Sequence, residues 1–132
     1  MQMQTGKQLV YPVSSQFQSI QTNMTESEFN LLADAVLERI DAGLEASGAD
    51  LDWELKDGGV LEIECADGSK IIVNRHGIAR EIWVAARSGG FHFRHDPASG
   101  THAWVNTRDG DEVFVALSRV LSEQSGETVT LR

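Results

Sequence analysis

The sequence predicts an α+β fold, a two-layer sandwich with N- and C-terminal helices packed on one face of an antiparallel five- to six-stranded sheet. Three observations carry this expectation. Apolar residues recur at helical spacing near both ends of the chain. Between those stretches, short runs of alternating apolar and polar residues are separated by Gly-containing turns, the pattern of a continuous meander. The 132 residues contain no Gly/Ser linker, repeat or low-complexity run, so the chain forms one domain around a single core.

The elements follow in order. Residues 1–23 are rich in Gln and Ser and lack both the apolar run of a signal peptide and the Arg-rich character of a transit peptide, so they read as a poorly ordered, dispensable extension to a domain spanning 24–132. Thr25 followed by Glu28 is a capping-box pattern, after which Phe29, Leu32, Ala33, Val36, Leu37, Ile40 and Leu44 form one apolar face. Gly43 weakens this helix, and Ser47-Gly48 ends it. Leu51, Trp53 and Leu55 then alternate with Asp50, Asp52, Glu54 and Lys56, a strand with an apolar inner face and an acidic outer one.

Asp57-Gly58-Gly59 turns the chain into Val60–Cys65, with Leu61, Ile63 and Cys65 facing in and Glu62 and Glu64 facing out. Asp67-Gly68 makes the next turn, into Lys70–Arg75. Two further runs, Arg80–Ala85 and Phe91–Phe93, face each other across Gly89-Gly90, which reads as the hairpin turn, and Thr101–Val105 makes a short sixth strand. Alternation puts Ile82 and Val84 on the core face and Trp83 on the other. An outward Trp either is shielded by long neighbouring side chains or serves as an interface residue. Asp109 with Glu112 resembles a second capping box, opening a helix with Val113, Phe114, Leu117, Val120 and Leu121 on one stripe and ending near Gly126. The tail carries two apolar anchors, Val129 and Leu131, which are expected to close the core along the helices.

The same residues bound the function. No stretch approaches the roughly 18 apolar residues of a membrane span, so a soluble protein with no membrane partner is expected. The single cysteine, Cys65, excludes an internal disulfide framework, fits a reducing, cytoplasmic compartment, and faces inward as a small hydrophobe. The net charge of −9 is concentrated, because thirteen of the twenty acids but only two of the eleven bases fall between Met24 and Gly68. Such a field attracts cations and basic protein surfaces and argues against nucleic acid as a partner.

Phosphate-binding glycine loops, nucleophile elbows and zinc-type Cys/His spacing are all missing from the sequence, and no catalytic residue is assigned. Asp50, Asp52 and Glu54 mimic the start of a calcium loop but lack its later Gly and Glu. His76, His92, His95 and His102 are scattered through strands and turns and read as surface or packing residues. Asp34, Glu38, Asp41 and Glu45 fall within a strip about 60° wide, expected opposite the apolar helix face. With Asp50, Asp52 and Glu54 they make seven carboxylates and no interleaved base. This is either a solvated face or a ridge that binds hard cations weakly because nothing encloses them.

Asn74-Arg75, Glu81-Ile82-Trp83-Val84-Ala85 and Gly89-Gly90-Phe91-His92-Phe93 resemble the signature of the bacterial frataxins, the CyaY-type proteins, and the likeness extends from about Met24 to Arg132. The chain departs from the usual pattern at Glu81, where Gln is common, and at His76-Gly77-Ile78, which lacks a proline. The resemblance implies an iron-binding protein that regulates or supports iron-sulfur cluster assembly by docking on a cysteine desulfurase and its scaffold protein. It further implies that weakly held ferrous or ferric iron meets Asp34, Glu38, Asp41, Glu45, Asp50, Asp52 and Glu54. Glu38, Asp41, Glu45 and Asp52 would meet a basic partner surface, and Trp83 the scaffold. A monomer without an organic cofactor is expected, with iron-dependent oligomerisation left open. The alternatives are a ferroxidase or iron-storage protein and an iron-free acidic adaptor.

Overall fold

The structure, a computed structural model, describes residues 24–100 and 102–132. The N-terminal extension expected at 1–23 lies outside the described residues. The described chain runs α1 (Glu26–Ser47), β1 (Leu51–Lys56), β2 (Val60–Cys65), β3 (Lys70–His76), β4 (Glu81–Ala86), β5 (Gly89–His95), a short 3-10 turn (Pro97–Ser99), β6 (Trp104–Asn106) and α2 (Val113–Ser125). The six strands pair antiparallel in sequence order, so the sheet is a pure meander with β1 and β6 at its edges. Inward residues of the strands and the apolar faces of both helices merge into one buried cluster, the two-layer arrangement expected.

Helix α1 begins and ends where local chemistry dictates. Thr25 Oγ1 accepts from the Glu28 N–H, the Glu28 carboxylate accepts from the Thr25 N–H, and Gly48 leaves the helix at φ +67°. Helix α2 starts differently from expectation. Glu112 itself caps it, accepting from the N–H groups of Phe114 and Val115, while Asp109 accepts from Asp111 within the preceding turn. The Glu side chain is long enough to reach back over the first turn, so the cap sits three residues later than the sequence spacing suggested.

Two strand boundaries also differ. The β4–β5 loop is Arg87-Ser88, whereas Gly89 and Gly90 are already paired, opposite Ala86 and Ala85. This register sets Phe93 opposite Ile82, both fully buried, and the hydrophobic match outweighs the turn preference of a Gly pair. Gln124 of α2 accepts from the Arg87 N–H at 3.0 Å and so holds the loop against the helix layer. The sixth strand is Trp104–Asn106; Thr101 lies outside the described residues.

The inner face thins toward the β1 edge. Leu51 is buried, Trp53 half-buried and Leu55 exposed, because an edge strand has a neighbour on one side only. The tail runs back along α2 and closes the core. Ser122 Oγ accepts from the Val129 N–H at 2.9 Å, Ser118 Oγ accepts from the Leu131 N–H at 2.9 Å, and both apolar anchors are buried. Cys65 is buried as its place in the alternation requires.

Two glycines make opposite demands. Gly43 has ordinary helical space, since a methyl there would sit 3.6 Å from Leu131 and Phe114, so Gly43→Ala should raise stability by about 0.5–1 kcal/mol. Gly59 has φ +77° and a methyl there would come within 2.6 Å of the Arg75 side chain. Gly59→Ala should therefore cost about 1–3 kcal/mol. Urea denaturation of the two variants checks the pair of signs.

Candidate functional site: an acidic edge and an outward tryptophan

The acidic surface forms where α1 lies over the β1 edge of the sheet. All seven predicted carboxylates lie on these two elements or on the link between them. They are not equivalent. Glu38, Glu45, Asp50, Asp52 and Glu54 are exposed, but Asp34 and Asp41 are half-buried. The strip therefore stands on the flank of the helix rather than opposite its apolar face. At about 100° per residue Asp41 and Asp34 are its two core-side members, and they lean onto the sheet.

Both of these aspartates have structural partners. Arg75 Nη1 of β3 bridges to Asp34, and the Trp53 indole N–H of β1 donates to Asp41 at 2.6 Å. The helix offers no base at i±4 to Asp34; the counter-charge comes from 41 residues away in the chain. Asp50, on the link, uses its backbone N–H to donate to the Glu127 carboxylate at 3.0 Å.

Two acids that the sequence placed outward but outside the ridge also belong to this edge. Register sets Glu64 opposite Asp52 and Glu62 opposite Glu54. Like charges directly opposite destabilise a sheet, and here they are only half relieved. Lys56 lies 3.2 Å and Lys70 3.7 Å from Glu62, and the Lys56 hydrogen bond first, then the charges of both lysines, hold its carboxyl below the usual range. That contribution to stability is present above the ordinary carboxylate range and is lost as pH falls through the depressed folded value. Glu64, by contrast, has no ion pair among the described residues. Cross-strand register was the missing signal, since alternation gives a residue's face but not its neighbour. Among the described residues no three His, Cys, Asp or Glu side chains converge into a cluster that could hold a metal ion, so any cation here meets an open carboxylate row.

Trp83 occupies the outer face, as alternation required, but it does not stand alone. His76 of β3 and His92 of β5 stack on it with ring centroids 3.7 Å and 4.3 Å away and planes within 11° and 7° of parallel. Because β3 and β5 flank β4, the imidazoles cover the two opposite faces of the indole. Glu81 Oε1 accepts from the indole N–H at 2.8 Å and lies 3.6 Å from His92 Nδ1. The other histidines pack as well, His95 edge-on to Trp104 and His102 flat on Phe114. Burial pushes His95 toward the neutral form, partly opposed by Asp96.

These contacts separate residues that look alike in sequence. Glu38→Gln should raise stability by about 0.2–0.5 kcal/mol at low salt by relieving like-charge repulsion, whereas Asp41→Ala should cost about 2 kcal/mol by removing a charged acceptor. Trp83→Ala should cost about 1–3 kcal/mol for two lost stacks, less than the ~3–5 kcal/mol of Trp104→Ala, whose ring is 1% exposed. Thermal and chemical denaturation of the four variants tests the ranking.

Comparison with known proteins places this geometry. A family profile described as the frataxin-like domain matches residues 22–127. A protein of Dechloromonas aromatica named "Iron-sulfur cluster assembly protein CyaY" is 63% identical over 83% of this chain and 100% of its own length. Its namesake in Janthinobacterium is 55% identical over 83% of this chain and 97% of its own length. The solved frataxin of Psychromonas ingrahamii superposes with a TM-score of 0.71 at 34% identity, covering 81% of this chain and 97% of that one. With its helix-capped six-stranded meander and a family match over most of its length, the chain belongs to the frataxin-like family.

Proposed function

We propose that this protein acts in iron-sulfur cluster assembly, the role that the names of its relatives carry, by binding iron weakly along the α1–β1 edge and docking on a cysteine desulfurase with its scaffold protein. The observation that carries the reading is the run of five exposed carboxylates, Glu38, Glu45, Asp50, Asp52 and Glu54, on one edge. Hard oxygen ligands suit ferrous and ferric iron as well as calcium and manganese, and an unenclosed row binds all of them weakly. Asp34 and Asp41 border the row and contribute charge, but each must loosen a contact with Arg75 or Trp53 to become a ligand.

The same edge suits a basic protein surface. Glu38, Asp41, Glu45 and Asp52 would meet the desulfurase by charge complementarity, which governs association rate and orientation. Trp83, on the outer face of the sheet, would meet the scaffold as the kind of aromatic anchor that dominates interface energetics. The action would be cytoplasmic and monomeric, and no described helix is long and apolar enough to cross a membrane. A ferroxidase would need ligands pre-organised around the metal. An iron-free adaptor would need the charges alone.

Anaerobic calorimetry and NMR test the metal. Ferrous iron should bind with a dissociation constant in about the micromolar range or weaker, broaden amides between Asp34 and Glu54 first, and be displaced by other divalent cations. Broadening centred on His92, His95 and His102 would move the site elsewhere, and no heat or broadening at all would leave the adaptor. Titration against a purified desulfurase–scaffold complex tests docking. Glu38→Lys with Glu45→Lys should weaken it, with a salt dependence shallower than wild type, and Trp83→Ala should weaken it about thirtyfold.

A further inference from the structure

Trp83 is a docking anchor whose two flat faces are already occupied. The rings of His76, Trp83 and His92 form a continuous stack across β3, β4 and β5, and the indole N–H is tied to Glu81. An aromatic side chain on an open sheet face normally samples several rotamers and loses that freedom on binding. Here the stack and the N–H bond remove it beforehand, and the indole edge is what remains for a partner to bury. We infer that His76, His92 and Glu81 are positioning residues that hold Trp83 edge-outward for docking. This rests on Trp83 being the anchor, as proposed above.

The two histidines are not equivalent. His76 Nδ1 accepts from the Ala79 N–H at 3.2 Å, within the turn that leads from β3 to β4, which fixes that ring against the indole. His92 is exposed, and its Nδ1 faces the same Glu81 oxygen that receives the Trp83 N–H.

Most of the remaining charges around the stack are engaged with other groups. Arg94, opposite Glu81, lies 3.6 Å from Asp96. Lys70 and Lys56 converge on Glu62 farther along the same face, and Asn74, opposite Trp83, is neutral. Arg108 and Asp109, following β6, share a small cavity with His92 and bring opposite charges. Arg75 and Arg80 are engaged elsewhere, with Asp34 and with the Gly77 carbonyl. A partner that covers Trp83 also covers the imidazole edges.

The test uses the full chain, alone and with the purified desulfurase–scaffold complex. It compares wild type, Trp83→Ala, the double variant His76→Ala/His92→Ala, and the double variant His76→Phe/His92→Phe. In the free protein, the Trp83 indole N–H resonance should lose its ring-current shift in the Ala pair and keep a shifted, sharp line in the Phe pair. Against the complex at pH 8, the Ala pair should bind about tenfold more weakly and the Phe pair close to wild type.

Wild-type affinity in the Ala pair, or an unaltered indole resonance, overturns the positioning role. Binding by the Phe pair as weak as that of the Ala pair, with the indole resonance still shifted, overturns stacking as the source of the effect. Unchanged binding by Trp83→Ala removes the anchor itself and the clamp with it, whereas weaker binding by Trp83→Ala together with an unaffected Ala pair overturns the clamp alone. Should the Ala pair fail to fold, His92→Ala, a change at an exposed position, carries the same comparison.

Discussion

The pairing of β4 with β5 governs both sides of the sheet. One register sets Ile82 opposite Phe93 on the inner face and Trp83 opposite His92 on the outer face. Because side chains alternate with period two, a slip of one residue would drive Phe93 into water and break the stack at the same time. Burial of Ile82, Val84 and Phe93 therefore locks the geometry of a surface that the core never touches. The same constraint displaces the hairpin loop to Arg87-Ser88, leaving both glycines within the strand. On β4 the signature stretch thus serves core and surface at once, one set of alternate positions for each.

The acidic edge shows how a charged surface is kept on a folded domain. Concentrated like charge opposes compaction, and cross-strand pairs such as Asp52 with Glu64 add to the cost. Relief comes selectively: Arg75 neutralises Asp34, the Trp53 indole steadies Asp41, and Lys56 with Lys70 brackets Glu62. These contacts sit at the margins, where α1 meets the sheet and where β2 meets its neighbours. The most exposed carboxylates are left to solvent, which is the condition for meeting a cation or a basic partner without first breaking an internal bond. Structure and the proposed activity therefore divide the acids between them, a division that net charge alone does not reveal.

The core is closed by short polar devices as well as by apolar burial. Ser118 and Ser122 each use a hydroxyl to hold the returning tail against α2, so Val129 and Leu131 are placed by hydrogen bonds to serines of α2. Gln124 ties the same helix to the β4–β5 loop and, through its amide, to Ser69 and the Lys70 carbonyl. It is one of only two buried polar residues among those described, and its bonds cross from the helix layer to two loops of the sheet. Such a residue fixes where a helix sits along a sheet, because apolar contacts alone tolerate sliding.

What the sequence by itself determined is what depends on near neighbours. Capping at Thr25 and Gly48, the period-two faces of β2 to β4, the buried state of Cys65 and the two tail anchors all follow from residues within a few positions of one another. The acidic excess was equally legible, since it is a count. Tertiary structure alone decided which side chains touch across strands and layers. The stacking of His76 and His92 on Trp83, the Arg75–Asp34 bridge and the Trp53–Asp41 bond join residues on separate elements, and no periodicity encodes them. The flank position of the acidic strip belongs to the same class, because the orientation of a helix on its sheet is settled by packing of the whole core. Local backbone preferences act through bonds a few residues long, whereas register and side-chain pairing are set only when the complete apolar surface is buried.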